Sequence, residues 1–446
     1  MKEIKSYIIT QNKEYFSKNS EYIKLKNSNI KKIIKNGNII NAFLYEEEKN
    51  KLYGYYQIDL NDLDNSKNKK NNDDFAYLKI TDNYKRRRGI YYKLEKKYID
   101  FSLFEIDDKT FLKLKNGLDL LNENISQTFF SCSIEKESEG NDIFKYKAIE
   151  TSPSLYIAEY QKKFDYQAYK SIYKEYLRLL KTSNSENDNS KKFIEIGSYL
   201  TNMLIPEKEF RNHLLNGFRI VYLHLDENTY NIPWEILAYD KKFISEKIIF
   251  SYTNAVNILP ENTKNKNNNK MAIVSIPDEN IKNDKKEIEI IDSIKLNLNK
   301  DMNIDLYRKE HNYFDFIKVL ENYDIVHIIT HGYSNGIKLS EDYILNSISA
   351  LENPPSLVFI NACNMEENDN KLIQSLLSAG VRTVISGTGS LADGIYIDFI
   401  ESFYSNLFHK YTRINTAQAY YLAYLEIKEF YNGFMRYRFN GVPAYV

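Results

Sequence analysis

The sequence predicts an α/β domain on a mainly parallel sheet flanked by helices, preceded by a β-rich region. Three observations predict it. After residue 270 short apolar runs alternate with segments of helical spacing, the βαβ alternation that builds parallel sheets. Before residue 155 runs such as Ala42–Tyr45, Tyr53–Ile58 and Phe129–Ile134 concentrate aromatic and β-branched residues, which fit a pleated surface. Three polar stretches, Asn65–Asp74, Thr182–Ser190 and Glu261–Lys270, are nearly free of apolar residues and read as exposed loops or linkers. The 446 residues suit two or three domains at about 100–200 residues each. The expected divisions are a β-rich region over 1–155, a middle part over 156–268 and a last domain over 269–446.

The elements follow in order. Phe164–Leu180 sets Tyr169, Ile172, Tyr173 and Tyr176 on one helical face, and Lys192–Leu204 repeats the pattern. Phe218–Leu225 is an apolar strand, followed by Ile232–Leu237 around the single Trp. Strands are then expected at Ala272–Ile276, Ile304–Tyr307, Ile325–Thr330, Leu357–Ile360 and Val381–Ser386. Between and after them helical spacing marks Lys285–Leu298, Tyr313–Leu320, Lys371–Ala379 and Ile395–Leu407. In Lys371–Ala379 the residues Leu372, Ile373, Leu376 and Leu377 face inward, and Gly380 is placed to cap the C-terminus.

Composition removes several function classes. Lys plus Arg equal Asp plus Glu at 61 each, so net charge gives no reason to seek nucleic acid or an anionic membrane. The two cysteines, Cys132 and Cys363, rule out a disulfide scaffold. The six His lack metal-ligand spacing. No GxxxxGK loop exists for nucleotide hydrolysis. No window approaches the ~18 apolar residues that span a bilayer, and the N-terminus lacks a signal-peptide core. A cytoplasmic protein without cofactor or metal is expected.

Two expected strand ends carry reactive groups. Asp324–Thr330 leads into His331-Gly332, and Ser356–Ile360 leads into Asn361-Ala362-Cys363. Consecutive strands of a parallel sheet usually neighbour each other, and such sheets bind ligands past their carboxyl ends. An imidazole beside a thiol favours the thiolate nucleophile and can later protonate a leaving amine. The amides of Gly332 and Cys363 are candidate donors to an oxyanion. His327, at an even offset from His331, reads as structural. Cys132 reads as a buried small hydrophobe. Lys85-Arg-Arg-Arg88, with Tyr84, Tyr91 and Tyr92 beside it, is a compact basic patch that reads mainly as a solvated face.

The segments VHIITHGYSNG and LVFINACN resemble the caspase-like cysteine peptidases, and within them the CHAT family. Ile232-Pro-Trp-Glu-Ile-Leu237 is similar to a strand upstream of that family's catalytic half. Ala379–Ser386 is similar to its strand after the nucleophile helix. Phe439-Asn-Gly-Val-Pro443 is similar to its terminal Gly-Asp-Pro segment, with Val442 in place of the Asp. The resemblance spans about 160–446 and implies a caspase-like fold and an endopeptidase with a Cys–His dyad. The His falls on His331, the Cys on Cys363, and the oxyanion donors on the amides of Gly332 and Cys363. It further implies a pseudo-catalytic half over 156–268. Asp393 lies in a region that in relatives borders the substrate pocket, and is a substrate-binding candidate on that ground; a helix or turn cap is its other reading.

The function expected is cleavage of a partner protein after activation, with the N-terminal region docking an activating protein. The resemblance points to bacterial defence or regulated cell death. The alternatives are a catalytically silent interaction scaffold and a nucleic-acid-activated sensor using Arg86–Arg88.

Overall fold

The computed structural model describes residues 5–11, 22–26, 39–46, 51–59, 75–79, 90–91, 103–106, 126–135, 142–150, 155–182, 189–216, 218–253, 270–278, 281, 284–298, 302–333, 336–362, 371–388, 395–408, 414–428 and 437–446. Two compact units emerge: Met1–Asn124 with His409–Thr412, and Ile125–Phe408 with Arg413–Val446. In the first, every described residue is in a strand. Lys5–Gln11, Ile39–Glu46, Lys51–Asp59, Ile90–Tyr91 and Leu103–Ile106 form one sheet, and Tyr22–Lys26 pairs with Phe75–Lys79 in another. The basic patch Lys85–Arg88 lies outside the described residues.

The second unit holds one eleven-stranded sheet. Numbered in chain order, its strands are β1 (Ser126–Glu135), β2 (Ile143–Glu150), β3 (Tyr156–Lys163), β4 (Arg219–Leu225), β5 (Ile248–Tyr252), β6 (Lys270–Ser275), β7 (Asn303–Arg308), β8 (Ile325–Ile329), β9 (Leu357–Asn361), β10 (Thr383–Gly387) and β11 (Tyr437–Gly441). Their spatial order is β3-β2-β1-β4-β5-β11-β10-β9-β8-β6-β7. All neighbours run parallel except β1/β2, β2/β3 and β10/β11. The units divide at Asn124/Ile125 and not at 155/156, because β1 to β3 belong to this sheet.

Sequence explains the layering. β8, β9 and β10 are buried at every position, as strands covered on both faces must be, hence their unbroken apolar runs. β7 closes one end of the sheet and carries only exposed and half-buried residues. Among the described residues, eight helices of seven residues or more accompany the sheet: α1 (Tyr166–Thr182), α2 (Ser190–Leu204), α3 (Lys208–Leu214), α4 (Asp284–Leu298), α5 (Tyr313–Asn322), α6 (Lys371–Ser378), α7 (Ile395–Leu407) and α8 (Thr416–Ile427). α6 buries Leu372, Ile373, Leu376 and Leu377. It ends as its sequence predicts: Gly380 takes φ +100°, and the Gly380 and Val381 amides close back on the carbonyls of Leu377 and Leu376. α8 has no polar stripe; Thr416 to Leu425 are all buried, so it lacks the amphipathic signal of a surface helix.

The motif around the single Trp is a joint between segments distant in the chain. Trp234 is fully buried, and Glu235 beside it accepts from Tyr252 Oη at 2.5 Å and Arg438 Nε at 2.7 Å. The terminal strand is thereby tied to the middle of the sheet. Gly441, at φ +87°, lies where an added Cβ would meet the Arg382 carbonyl oxygen at 2.2 Å, so only glycine fits.

Candidate functional site

The site lies at the carboxyl end of the parallel run. The chain passes from β6 outward to β7, then returns to the other side of β6 as β8. Loops leaving β6 and β8 therefore diverge and open a crevice, the topological switch point where open α/β sheets place their ligands. His331 follows β8 at this point, and Asp278 follows β6.

The strand ends are level. Ile329 of β8 is paired with Asn361 of β9, and the Thr330 amide donates to the Asn361 carbonyl at 3.4 Å. Beyond β8, Gly332–Tyr333, Gly336–Ser340 and Tyr343–Leu345 make a small antiparallel sheet. His331 is one-third exposed on its side chain, and its Nε2 stands 3.2 Å from Asp278 Oδ1. Asp278 Oδ2 accepts from Lys338 Nζ at 2.9 Å. That contact holds Lys338 above the usual lysine range. Cys363 and Asp393 lie outside the described residues. Ala362, bonded to Cys363, is buried.

Below the strand ends is a sealed polar network. Glu287 of α4 and His327 of β8 are both fully buried, with Glu287 Oε1 to His327 Nε2 at 2.6 Å. Glu287 Oε2 accepts from Asn361 Nδ2 at 2.8 Å, and Asn361 Oδ1 accepts from Tyr437 Oη at 3.1 Å. His327 Nδ1 meets Tyr404 Oη at 2.8 Å. Burial, then the Glu287 charge, pushes the Tyr404 hydroxyl well above the ordinary phenol range, so it stays protonated. A buried carboxylate is tolerated only when its oxygens are satisfied, and here both are. The network pins Asn361, two residues before Cys363. His327 is structural, as its position predicts, and Cys132 is buried, with burial pushing its thiol up.

Two residues escaped the sequence reading. Asp278 carries a signal in retrospect: it is the first acidic residue past a buried strand, at the switch point. Glu287 carries another: it shares a helical face with buried Ile291 and Ile294, an acidic residue where the spacing calls for an apolar one. Among the described residues no group of three or more His, Cys, Asp or Glu could hold a metal ion, and no helix is long and apolar enough to cross a membrane.

Two solved structures of the Saccharomyces cerevisiae separase–securin complex are similar at 12% and 11% identity, with TM-scores of 0.43 and 0.45. They cover 77% and 76% of this chain and 32% of each matched chain, so this chain spans about a third of their length. No curated protein matches. The CHAT domain family model matches residues 195–426, more than half of the chain and the whole parallel run from β6 to β10. The chain belongs to the CHAT domain family and carries its caspase-like α/β sheet.

Proposed function

We propose that this chain is a cysteine endopeptidase in which His331 is the general base and Cys363 the nucleophile. The supporting observation is the register of β8 and β9. Ile329 and Asn361 are level neighbours, His331 follows the first by two residues and Cys363 the second by two. Adjacent strands lie about 4.8 Å apart, a separation that lets an imidazole and a thiol on the two strand ends meet.

The chemistry follows. His331 takes the proton of Cys363, and the thiolate attacks a backbone carbonyl of a bound protein. The amine leaves with a proton returned by His331, and a thioester remains. Water deprotonated by His331 then releases the acid and restores the thiol. The oxyanion is held by the amides of Gly332 and Cys363. Gly332 pairs with Ile337 while the flanking Lys338 amide donates to the His331 carbonyl at 3.0 Å. In that antiparallel pattern the Gly332 amide points away from its partner strand, as an oxyanion donor must. Asp393 would border the pocket for the residue before the cut. No cofactor enters the reaction.

The substrate is a partner protein, with cleavage switched on by an activating protein docked on the β-rich unit over 1–124. The middle part, 156–268, serves as a pseudo-catalytic half beside the catalytic domain, 269–446. A role in bacterial defence or regulated cell death, in the cytoplasm, accords with CHAT membership.

The test is co-expression with the genomic neighbours, followed by mass spectrometry of new peptide ends. New ends are expected with wild type and absent with both Cys363→Ala and His331→Ala. Identical ends in all three samples, or none in any, contradict the peptidase and favour a silent scaffold.

A further inference from the structure

Asp278 and Lys338 form a charge pair directly against His331. Asp278 Oδ1 stands 3.2 Å from His331 Nε2, and Oδ2 accepts from Lys338 Nζ at 2.9 Å. The two residues come from different elements, the loop after β6 and the small antiparallel sheet after β8. The same sheet grips the backbone around His331: the Lys338 amide donates to the His331 carbonyl at 3.0 Å, and Thr330 Oγ1 donates to the Lys338 carbonyl at 2.7 Å. Lys338 thus holds the histidine through its main chain and the facing carboxylate through its side chain.

The chemistry of such a triplet is restrictive. A carboxylate only accepts, so Asp278 favours the ring tautomer with its proton on Nε2 and leaves the Nδ1 lone pair as the base. An uncompensated carboxylate would also favour the imidazolium, which has no lone pair to give. An ammonium on the other carboxylate oxygen opposes that tendency. The remaining charged neighbours do not replace either partner. Tyr333 and Glu341 act on Lys338 more weakly than Asp278 does. Asp284, the first residue of α4, is engaged by Arg308 at 2.8 Å. On the β9 side the described residues Asn361 and Ala362 are neutral.

We propose that Asp278 is a positioning residue that fixes the tautomer of His331, and that Lys338 supplies the counter-charge that offsets the Asp278 carboxylate facing the ring. The functional meaning rests on His331 being the general base; the electrostatics do not.

The test is an NMR titration of the His331 ring Hε1 in the full chain, the signal being assigned by its loss in His331→Gln. Lys338→Met is expected to raise the midpoint by about half to one pH unit, and Asp278→Asn to lower it by a similar amount. Lys338→Arg, which keeps the charge, leaves it at the wild-type value, and the double variant K338M/D278N returns towards it. Lys338→Gln gives the same comparison should Lys338→Met not fold. An unmoved midpoint, or shifts of the same sign in both single variants, overturns the proposal. The titration needs no turnover, so a chain that cleaves nothing still decides it. In a chain that does cleave, the acid limb of the rate profile moves with the midpoint in each variant.

Discussion

The two arms of the eleven-stranded sheet handle buried charge in opposite ways. In the arm from β1 to β5, charged groups are closed on each other. Arg219 and Glu150 are 3% and 2% exposed, His213 Nε2 contacts Glu150 at 2.8 Å, and Thr128 donates to the same carboxylate. Aromatic rings pack around them: Phe130 stacks on Tyr146 and Phe210, and Tyr156 on His213. In the arm from β6 to β10 a sealed network around Glu287 lies beneath a second, open one. Side-chain exposure rises from 0% for His327 to 33% for His331 along one strand and the residues after it. In the first arm the Arg219–Glu150 pair is sealed, with the half-buried His213 ring at its edge; past β8 the partly exposed His331 ring stands against Asp278, which Lys338 also contacts.

Breaking the closed arm should cost most. Arg219→Met leaves Glu150 buried with His213 as its remaining charged partner, and stability is expected to fall by about 3–5 kcal/mol in chemical denaturation. Replacing both residues, with Glu150→Leu added, should recover much of the loss. The pair also carries a pH signature. Burial raises the Glu150 carboxyl, but the contacts with His213 and Arg219 outweigh it and hold the group below its ordinary value of 4.5. A depressed carboxyl contributes its full stability above its unfolded value and loses it as pH falls through the folded one. Wild type should therefore lose stability below about pH 4.5 more steeply than Glu150→Gln does.

In the open arm, Glu287→Gln offers Asn361 or His327 an acceptor but not both. An unsatisfied buried donor costs about 1–3 kcal/mol, so a smaller destabilisation is expected, together with slower cleavage because Asn361 leads to Cys363. Equal losses for Arg219→Met and Glu287→Gln, with cleavage unaffected by either, would erase the contrast between the arms. Asn415 caps α8, its Oδ1 accepting from the Gln418 amide at 2.9 Å; Asn415→Ala should cost about 1 kcal/mol. The exposed Lys145–Glu135 pair sets the floor: Lys145→Ala should change stability by under about 0.5 kcal/mol.

Sequence made the open arm readable and the closed arm much less so. β6, β8, β9 and β10 are apolar runs flanked by amphipathic helices, and periodicity finds both. The run Phe129–Ile134 within β1 read as a strand, but alternation cannot say which sheet a strand joins, and β1 pairs with β4 across some 90 residues: Arg219 is level with Ser126. α8 escaped because it has no polar face to give it a period. At the site, the position of His331 was readable from its strand. Asp278 was not, because its partnership with His331 depends on β6 and β8 being adjacent, a tertiary fact. Glu287 was hidden by the expectation that a helical acidic residue faces water.

The central claim is that an imidazole and a thiol meet past β8 and β9, and the pH dependence of Cys363 alkylation tests it most directly. Cys132 is 4% exposed and should stay silent in the folded chain. With iodoacetamide, the rate–pH midpoint of Cys363 should lie at least about one unit below the free-thiol value of about 8.5 and rise to that value in His331→Ala. Identical profiles for wild type and His331→Ala would show that His331 does not act on this thiol.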